Sequence, residues 1–273
     1  MSGSTTSEKI EAVAIGAFDG MHTAHQELLR RLGHNGAVVV IDKGNATLTP
    51  GRERCHYAHY PCLFFELSSI KHLDAKGFVE LLKRTFPNLK KIVVGYDFAF
   101  GKDRRYGIED LRRLFNGVVE VVPEQKIEEL SIHSRHIKEL LRRGEIELAN
   151  KMLGRLYSVE GRVVAGQGIG KEELVPTINV EVEGFILPKP GVYATYTEIE
   201  GKRYPSVTFI GYRLSTDGRF SVETHIIGQK LNKTPKKVRI YFVKYLRPNQ
   251  KFDTLKDLKA QIQKDIQQAK ENI

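Results

Sequence analysis

The hydrophobic pattern of this chain changes near its middle, and that change restricts its possible folds more than any other feature. From residue 11 to about 153, short runs rich in Val, Ile and Ala alternate with segments whose apolar residues recur every three or four positions. This alternation predicts parallel strands joined by crossover helices. From residue 157 onward, short segments of alternating polarity are separated by turn sequences such as Lys189-Pro190-Gly191. We therefore predict two domains, residues 1–153 and 154–273.

The first half is predicted to be an α/β domain with a parallel sheet, and the second a small antiparallel β-barrel or sandwich. In the first half the strands are predicted over residues 12–17, 37–41, 91–95 and 118–122, and the helices over 25–32, 76–86, 108–115, 136–143 and 145–153. In the second half the strands are predicted over 157–164, 192–199, 206–211, 220–227 and 237–246. A last helix is predicted over 255–268, with Asp253-Thr254 as its N-cap. A length of 273 residues suits two such hydrophobic cores.

The charge balance favours an anionic partner. Lys and Arg number 43 against 33 Asp and Glu, a net charge of +10 that suits either nucleotide phosphates or nucleic acid. Only Cys55 and Cys62 are present, which indicates free thiols in a reducing compartment. No apolar run approaches the roughly 20 residues of a membrane span, so we expect a cytoplasmic protein without a membrane partner.

A glycine-containing segment, residues 16–25, follows a predicted strand and opens a predicted helix. Helix N-termini at the carboxyl ends of parallel strands bind phosphate through free N–H groups. The phosphate-binding candidates here are Gly16, Phe18, Asp19 and Gly20. His22 and His25 lie three residues apart and are catalytic candidates, because two imidazole donors could stabilise charge on an attacked phosphate. The alternative is that one histidine caps the helix and the other packs.

This segment resembles the nucleotide-binding signature of the nucleotidylyltransferase superfamily, in the form carried by bacterial bifunctional riboflavin kinase/FMN adenylyltransferases. Residues 94–101 resemble the second block of that family and residues 131–141 the third. The resemblance implies a Rossmann-like nucleotidylyltransferase domain with the following contacts. Flavin would be bound by Asp97, Phe98 and Phe100, and ATP phosphates by Ser134, Arg135 and His136. Alternatively, Phe98 and Phe100 are simply core residues.

The match to this family has two departures. Ala24 stands where the family usually has Gly between the two histidines, and His136 stands where it usually has a phosphate-contacting Arg, for which Arg135 could substitute. These departures suggest the alternative that adenylyl transfer has been lost and only phosphorylation remains. Cys55, His56, His59 and Cys62 could suggest zinc, but ligands this closely spaced would strain one site, so we expect a loop near the nucleotide.

The second half carries its own candidate site. The glycines Gly166, Gly168 and Gly170 could bring backbone N–H groups close to phosphate. Thr177 and Asn179 lie at alternate positions of a predicted strand and could share Mg²⁺ with ATP oxygens, since Mg²⁺ prefers oxygen ligands. Glu223 is the candidate general base. Without further context, Thr177 and Asn179 could equally belong to a polar strand face, and Glu223 to a strand surface.

These motifs occur in the order found in the riboflavin kinase domain, together with residues 191–194, 209–211 and 246–252. The resemblance implies a six-stranded barrel with a C-terminal helix, in which Thr177 and Asn179 lie near Mg-ATP and Glu223 acts as base. It implies two activities, riboflavin to FMN and FMN to FAD, with ATP, riboflavin and FMN as small-molecule substrates and no nucleic acid. A kinase with a degenerate adenylyltransferase site is one alternative, and a basic RNA-binding protein is another. The oligomeric state is not predicted.

Overall fold

The structure, a computed structural model, describes residues 6–165, 175–215, 218–229 and 233–273. By its internal contacts the chain forms two compact units, Met1–Ser134 and Arg135–Ile273. The division between the units falls after residue 134, so the two helices over residues 134–143 and 146–153 lie almost entirely in the second unit. The boundary of function that we predicted near Gly154 stays a prediction. Within the described residues, no helix is both long and apolar enough to cross a membrane.

The first unit is built on a five-stranded parallel sheet with the strand order β3-β2-β1-β4-β5. The strands are β1 Ala12–Gly16, β2 Gly36–Asp42, β3 Cys62–Glu66, β4 Lys91–Gly95 and β5 Val118–Val122. This order leaves a crevice where β1 and β4 lie side by side but their connections run to opposite faces. The predicted Rossmann-like sheet is confirmed, and the crevice marks the expected ligand position.

Helices cover both faces of this sheet, as a parallel sheet requires. They are α1 Thr23–Arg30, α2 Glu53–His56, α3 Leu67–Ile70, α4 Ala75–Thr85 and α5 Ile108–Leu114. Val13 and Ile15 of β1 pack with Phe78 and Leu82 of α4, whereas the alternate residue Ala14 belongs to the opposite cluster, which contains α1. Successive residues of the strand therefore bury both faces of the sheet.

The second unit begins with helices α6 Ser134–Arg143 and α7 Ile146–Leu153, the first of which starts on the last residue of the first unit. Six antiparallel strands then close into a barrel in the order β10-β11-β12-β9-β8-β13. They are β8 Tyr157–Val164, β9 Ile178–Val182, β10 Gly191–Ile199, β11 Lys202–Tyr212, β12 Phe220–Ile226 and β13 Lys237–Arg247. A short β6 Lys126–Ile127 and β7 Leu130–Ser131 pair in the first unit. The predicted barrel is confirmed.

The C-terminal helix α8 Leu255–Lys270 packs against β10 and β11 of the barrel. Thr254 caps it by accepting a hydrogen bond from the Asp257 N–H, as its sequence predicts. Asp265 is buried and receives two hydrogen bonds of 2.7 Å from the guanidinium of Arg247 at the end of β13. This paired contact fixes the helix to the barrel through a charge that would otherwise be costly to bury.

Five buried hydroxyl groups form a closed circle inside the barrel, which we call the hydroxyl ring. Thr195, Ser206, Thr197, Thr224 and Thr208 lie in this order around it, and neighbouring oxygens are 2.8–3.0 Å apart. All five side chains are fully buried. Each hydroxyl can donate one hydrogen bond and accept others, so the ring satisfies polar groups that would destabilise an apolar interior. It joins strands β10, β11 and β12.

The sequence did not predict several short elements, and three of them follow one another between β2 and α4. They are α2, β3 and α3, and the first two contain part of the segment 55–62, where a loop near the nucleotide was expected. The chain from residue 57 to residue 61 is indeed a loop, but residues 55 and 56 are helical and residues 62–66 pair in register with β2. Strand β9 begins at Ile178, so Thr177 precedes the strand rather than lying in it. Strand β11 also starts four residues earlier than predicted, at Lys202.

The hydroxyl ring yields a prediction about stability. Replacing Thr197 by Val keeps the shape but removes a hydroxyl that bonds Ser206 and Thr224. We expect unfolding of the barrel to become about 1–3 kcal/mol easier, because buried partners lose a hydrogen bond. Urea unfolding followed by circular dichroism measures this. Thr234→Val, at an exposed position of the same unit, is the control; equal midpoints for the two variants would contradict the prediction.

Candidate active sites

A cavity of about 420 Å³ opens at the carboxyl ends of β1 and β4. Gly16 at the end of β1 and Gly95 at the end of β4 both line it. This is the crevice that the strand order predicts as a ligand site. All residues that line it belong to the first unit.

The loop between β1 and α1 has an unusual backbone that the neighbouring segment fixes. Phe18 and Met21 have φ values of 54° and 40°, a conformation that non-glycine residues adopt rarely. The buried carboxylate of Asp19 accepts hydrogen bonds from the backbone N–H groups of residues 47–49, at 2.9–3.3 Å. The Gly20 N–H donates to the Thr49 hydroxyl at 2.7 Å. Gly16 and Phe18 therefore line the cavity, whereas Asp19 and Gly20 hold the loop in place.

Both predicted histidines line the cavity. His22 is the N-cap of α1, and its Nδ1 accepts a hydrogen bond from the His25 N–H at 3.4 Å. Because Nδ1 accepts this hydrogen bond, Nε2 is the ring nitrogen of His22 that can donate one. The two rings stack with centroids 3.5 Å apart. Capping the helix and facing the cavity are thus compatible for the same residue.

Ser134 joins this end of the cavity from the start of α6. Its hydroxyl donates to the Asp19 carbonyl at 2.6 Å, which links the third sequence block to the β1–α1 loop. Arg135 is exposed and His136 is half-buried in the next positions of the helix. Ala24 lies in the first turn of α1 and lines the cavity. Its backbone is helical, a conformation that alanine adopts as readily as any residue.

The other end of the cavity is apolar and aromatic. The Phe98 and Phe100 rings stack with centroids 5.5 Å apart, and Phe100 also packs against Phe78. Phe100 is 5% exposed and belongs to the sheet's core, yet it also contributes to the cavity wall. Asp97 is exposed at this end and lines the cavity as well. A flat apolar ring system would find suitable contacts here.

Sequence reasoning missed several polar residues that line the cavity. Among them are Lys43, Lys71, Tyr96, Arg104, Glu124 and His133. The Tyr96 hydroxyl lies 3.1 Å from a Glu124 carboxylate oxygen and 3.0 Å from His133 Nε2. Hydrogen bonds from Ser131 and then Tyr96 keep the pKa of Glu124 below its ordinary value, although partial desolvation opposes them. Position provides the only sequence signal, since Tyr96 and His133 lie inside the second and third blocks.

The four Cys and His residues from 55 to 62 lie on successive short elements. Cys55 and His56 lie on α2, His59 lies in the turn that follows, and Cys62 begins β3. Across the described ranges, no three His, Cys, Asp or Glu side chains are arranged to hold a metal. Burial raises the pKa of the Cys62 thiol, and its hydrogen bond with Cys55 raises it further.

The second candidate site surrounds Glu223 on the outer face of β12. Glu223 lies opposite Asn179 in the pairing of β12 with β9. Its carboxylate lies 3.5 Å from the Thr177 hydroxyl and receives a 2.9 Å hydrogen bond from Ser221. His225 Nδ1 contacts the Pro176 carbonyl at 2.8 Å, which holds the segment before β9 against β12. The structure thus brings together all three residues that sequence motifs placed here.

One further residue contacts this carboxylate. Arg213 Nη1 lies 3.4 Å from Glu223 Oε1, with both side chains about four-fifths buried. Arg213 follows the motif at residues 209–211, and no pattern marks it as functional. The predicted phosphate-binding glycines Gly166, Gly168 and Gly170 lie outside the described residues. The grouping of hydroxyl, amide and carboxylate oxygens has the donor chemistry that Mg²⁺ prefers.

Comparisons with known proteins identify the family. The sequence model of the flavokinase family, described as riboflavin kinase, matches residues 153–273. A bifunctional riboflavin kinase/FMN adenylyltransferase from Buchnera aphidicola of Acyrthosiphon pisum is 31% identical over 286 residues, covering 93% of this chain and 90% of the relative. The chain belongs to the bifunctional riboflavin kinase/FMN adenylyltransferase family. The resemblance found in the sequence motifs is thereby confirmed.

One further curated relative and one solved structure also match nearly the whole chain. The bifunctional riboflavin kinase/FMN adenylyltransferase of Escherichia coli is 29% identical, over 95% of this chain and 91% of the relative. A crystal structure described as a macrolide-efflux protein from Streptococcus pneumoniae has a TM-score of 0.87, with 26% identity over 96% of this chain and 94% of that one. Both matches therefore extend over both halves of the chain.

The raised pKa of Cys62 yields a prediction about its reactivity. The thiolate is the reactive form, and a higher pKa leaves less of it at pH 8. We expect iodoacetamide to alkylate Cys62 at least about tenfold more slowly in the folded protein than in urea, since one pKa unit is a factor of ten in thiolate. Peptide mapping by mass spectrometry gives both rates. Equal rates in the two conditions would refute the prediction.

Proposed function

We propose that this chain makes FAD from riboflavin by two successive transfers, each at its own site. At the barrel, ATP and riboflavin give FMN and ADP. At the parallel sheet, ATP and FMN give FAD and pyrophosphate. The observation that carries the proposal is that each site holds the groups its reaction needs: a carboxylate beside Thr177 and Asn179 on the barrel, and the His22–His25 pair at the sheet crevice.

At the barrel, Glu223 is the general base for phosphorylation. Its carboxylate accepts the proton of the primary hydroxyl of riboflavin as that oxygen attacks the γ-phosphorus, and ADP leaves. The hydrogen bond from Ser221 orients the carboxylate. Thr177 and Asn179 would hold Mg²⁺ together with ATP oxygens, and a bound Mg²⁺ would neutralise charge on the transferred group. The neutral charge of these two ligands suits a metal already paired with phosphates.

At the sheet crevice, a phosphate oxygen of FMN attacks the α-phosphorus of ATP, and pyrophosphate leaves. His22 and His25 donate hydrogen bonds to phosphate oxygens as negative charge increases on them. Ser134 and the N-terminus of α1 bind the same phosphates, with Arg135 and His136 as further candidates. The stacked rings of Phe98 and Phe100 bind the flavin at the apolar end, with Asp97 at its edge. Two anionic reactants must meet here, and Lys43, Lys71 and Arg104 supply positive charge around the cavity.

The partners are thus small molecules rather than nucleic acid or a membrane, and the two free cysteines suit a cytoplasmic location. A second candidate function is phosphorylation alone, favoured by Ala24 and His136 at positions where the family usually has other residues. Incubation with riboflavin, ATP and Mg²⁺, followed by chromatography of the flavins, decides between them. FAD supports the proposal, FMN alone supports the second candidate, and unchanged riboflavin refutes both.

Glu223→Gln tests the assignment of the base. The amide cannot accept the proton, so we expect FMN formation to fall roughly 10²–10⁴-fold, the usual contribution of general-base catalysis. Adenylylation of supplied FMN should remain within about twofold of the unchanged protein, because the carboxylate belongs to the barrel site. Equal loss of both activities would contradict separate sites. The measurement is the initial rate of each reaction with purified protein.

His25→Ala is the converse test. Loss of one donor to the charged phosphate should lower FAD formation from FMN by about 10²–10³-fold. Riboflavin phosphorylation by the same preparation should be unchanged, which also serves as a check that the barrel is folded. If His25→Ala stops phosphorylation instead, the assignment of the reactions to the two halves is wrong.

A further inference from the structure

A buried arginine lies beside the loop that follows β1. Arg54, on α2, is 1% exposed. Its Nε donates to the Gly51 carbonyl at 2.9 Å and its Nη1 to the Ala17 carbonyl at 3.1 Å. Its Nη2 forms a 3.0 Å ion pair with Asp42 at the end of β2, and the guanidinium lies 5.1 Å from the centre of the Phe64 ring. Every nitrogen of the fork therefore has a partner.

Burial of this charge is difficult to explain by packing. A guanidinium taken out of water is tolerated only when it is fully paired, and an apolar side chain of similar volume would often serve the core as well. The arrangement of the fork is also specific, since Lys could not reach three separate acceptors. Of its partners, Ala17 lies furthest away in sequence, 37 residues before Arg54. Ala17 directly precedes Phe18, which has a positive φ.

The hydrogen bond from Arg54 to the Ala17 carbonyl fixes the direction of the following N–H, that of Phe18. All peptide bonds described here are trans, so the Phe18 N–H and the Ala17 carbonyl lie in one peptide plane and point in opposite directions. Ala17 and Phe18 both line the cavity, whereas Arg54 is absent from the described residues that line it. Arg54 therefore fixes the Ala17 oxygen, and with it the direction of the Phe18 N–H, in a loop that lines the cavity.

We propose that Arg54 is a positioning residue for adenylyl transfer, which orients the Ala17–Phe18 peptide so that its N–H donates to the triphosphate. The inference rests on the proposed transfer at this cavity. Arg54 touches neither reactant and acts through the loop. Asp42 takes part because its carboxylate, at the end of β2, pairs with the guanidinium. Burial raises the pKa of Asp42, but the hydrogen bonds from the Gly44 N–H and from Arg54 lower it by more, so the net shift favours the carboxylate.

The test compares Arg54→Met and Arg54→Lys with the unchanged protein. We expect kcat for FAD formation from supplied FMN to fall by about 100-fold in Arg54→Met, the usual effect of losing one preorganised donor. Arg54→Lys should lose less, because it retains the charge beside Asp42. The KM for FMN and the rate of riboflavin phosphorylation should stay within twofold. Arg31→Met is the matched control, since Arg31 is also ion-paired in the first unit but lies outside the cavity.

The outcomes separate this inference from the proposed function. If the unchanged protein makes no FAD from FMN, the function itself is refuted and the inference with it. If it makes FAD and both variants match Arg31→Met, only the role of Arg54 is overturned. Should Arg54→Met fail to fold, Arg54→Lys decides alone. Addition of millimolar guanidinium to Arg54→Ala gives an independent readout: recovery of kcat for FAD formation supports positioning, and no recovery opposes it.

Discussion

The hydrogen bonds of the Asp19 carboxylate are the contact on which the sheet's cavity depends. After β1 the chain must turn sharply before α1 begins, and it does so through residues with positive φ at 18, 20 and 21. Such a backbone persists only where its surroundings determine it. Three N–H groups from residues 47–49 bind Asp19, and Arg54 binds the Ala17 carbonyl two residues earlier. The segment after β2 therefore sets the shape of the phosphate-facing loop.

The barrel presents polar catalytic candidates on its outer face while its interior is buried. Strand β12 shows the division, because Val222, Thr224 and Ile226 are buried while Glu223 and His225 are half-buried on the other face. Two antiparallel neighbours fix this alternation, with Glu223 opposite Asn179 on β9 and Phe209 on β11. Because a shift of one residue would exchange the two faces, the register of β12 determines where the carboxylate lies.

The sequence predicted those parts of the fold that local pattern encodes. Strands β4 and β5 match their predicted bounds, since both are short segments rich in β-branched residues. Strand β3 escaped prediction because it is a half-buried edge strand without clear periodicity. Within the sites, motifs identified Glu223 and the two histidines. Arg54 and Arg213 could not be found in this way, because their contacts join distant segments and depend on backbone carbonyls or on a single carboxylate.

The hydroxyl ring carries a consequence for how this barrel can diverge. Removal of any one of its five hydroxyls opens the circle into a row of four, with a spare hydrogen at one end and a spare lone pair at the other. Each hydrogen bond of the ring joins two different strands, so a change of any one member to an apolar residue removes a hydrogen bond from two others. The five positions should therefore vary together in related sequences, either all polar or all apolar. A sequence with a mixed set should have a less stable barrel.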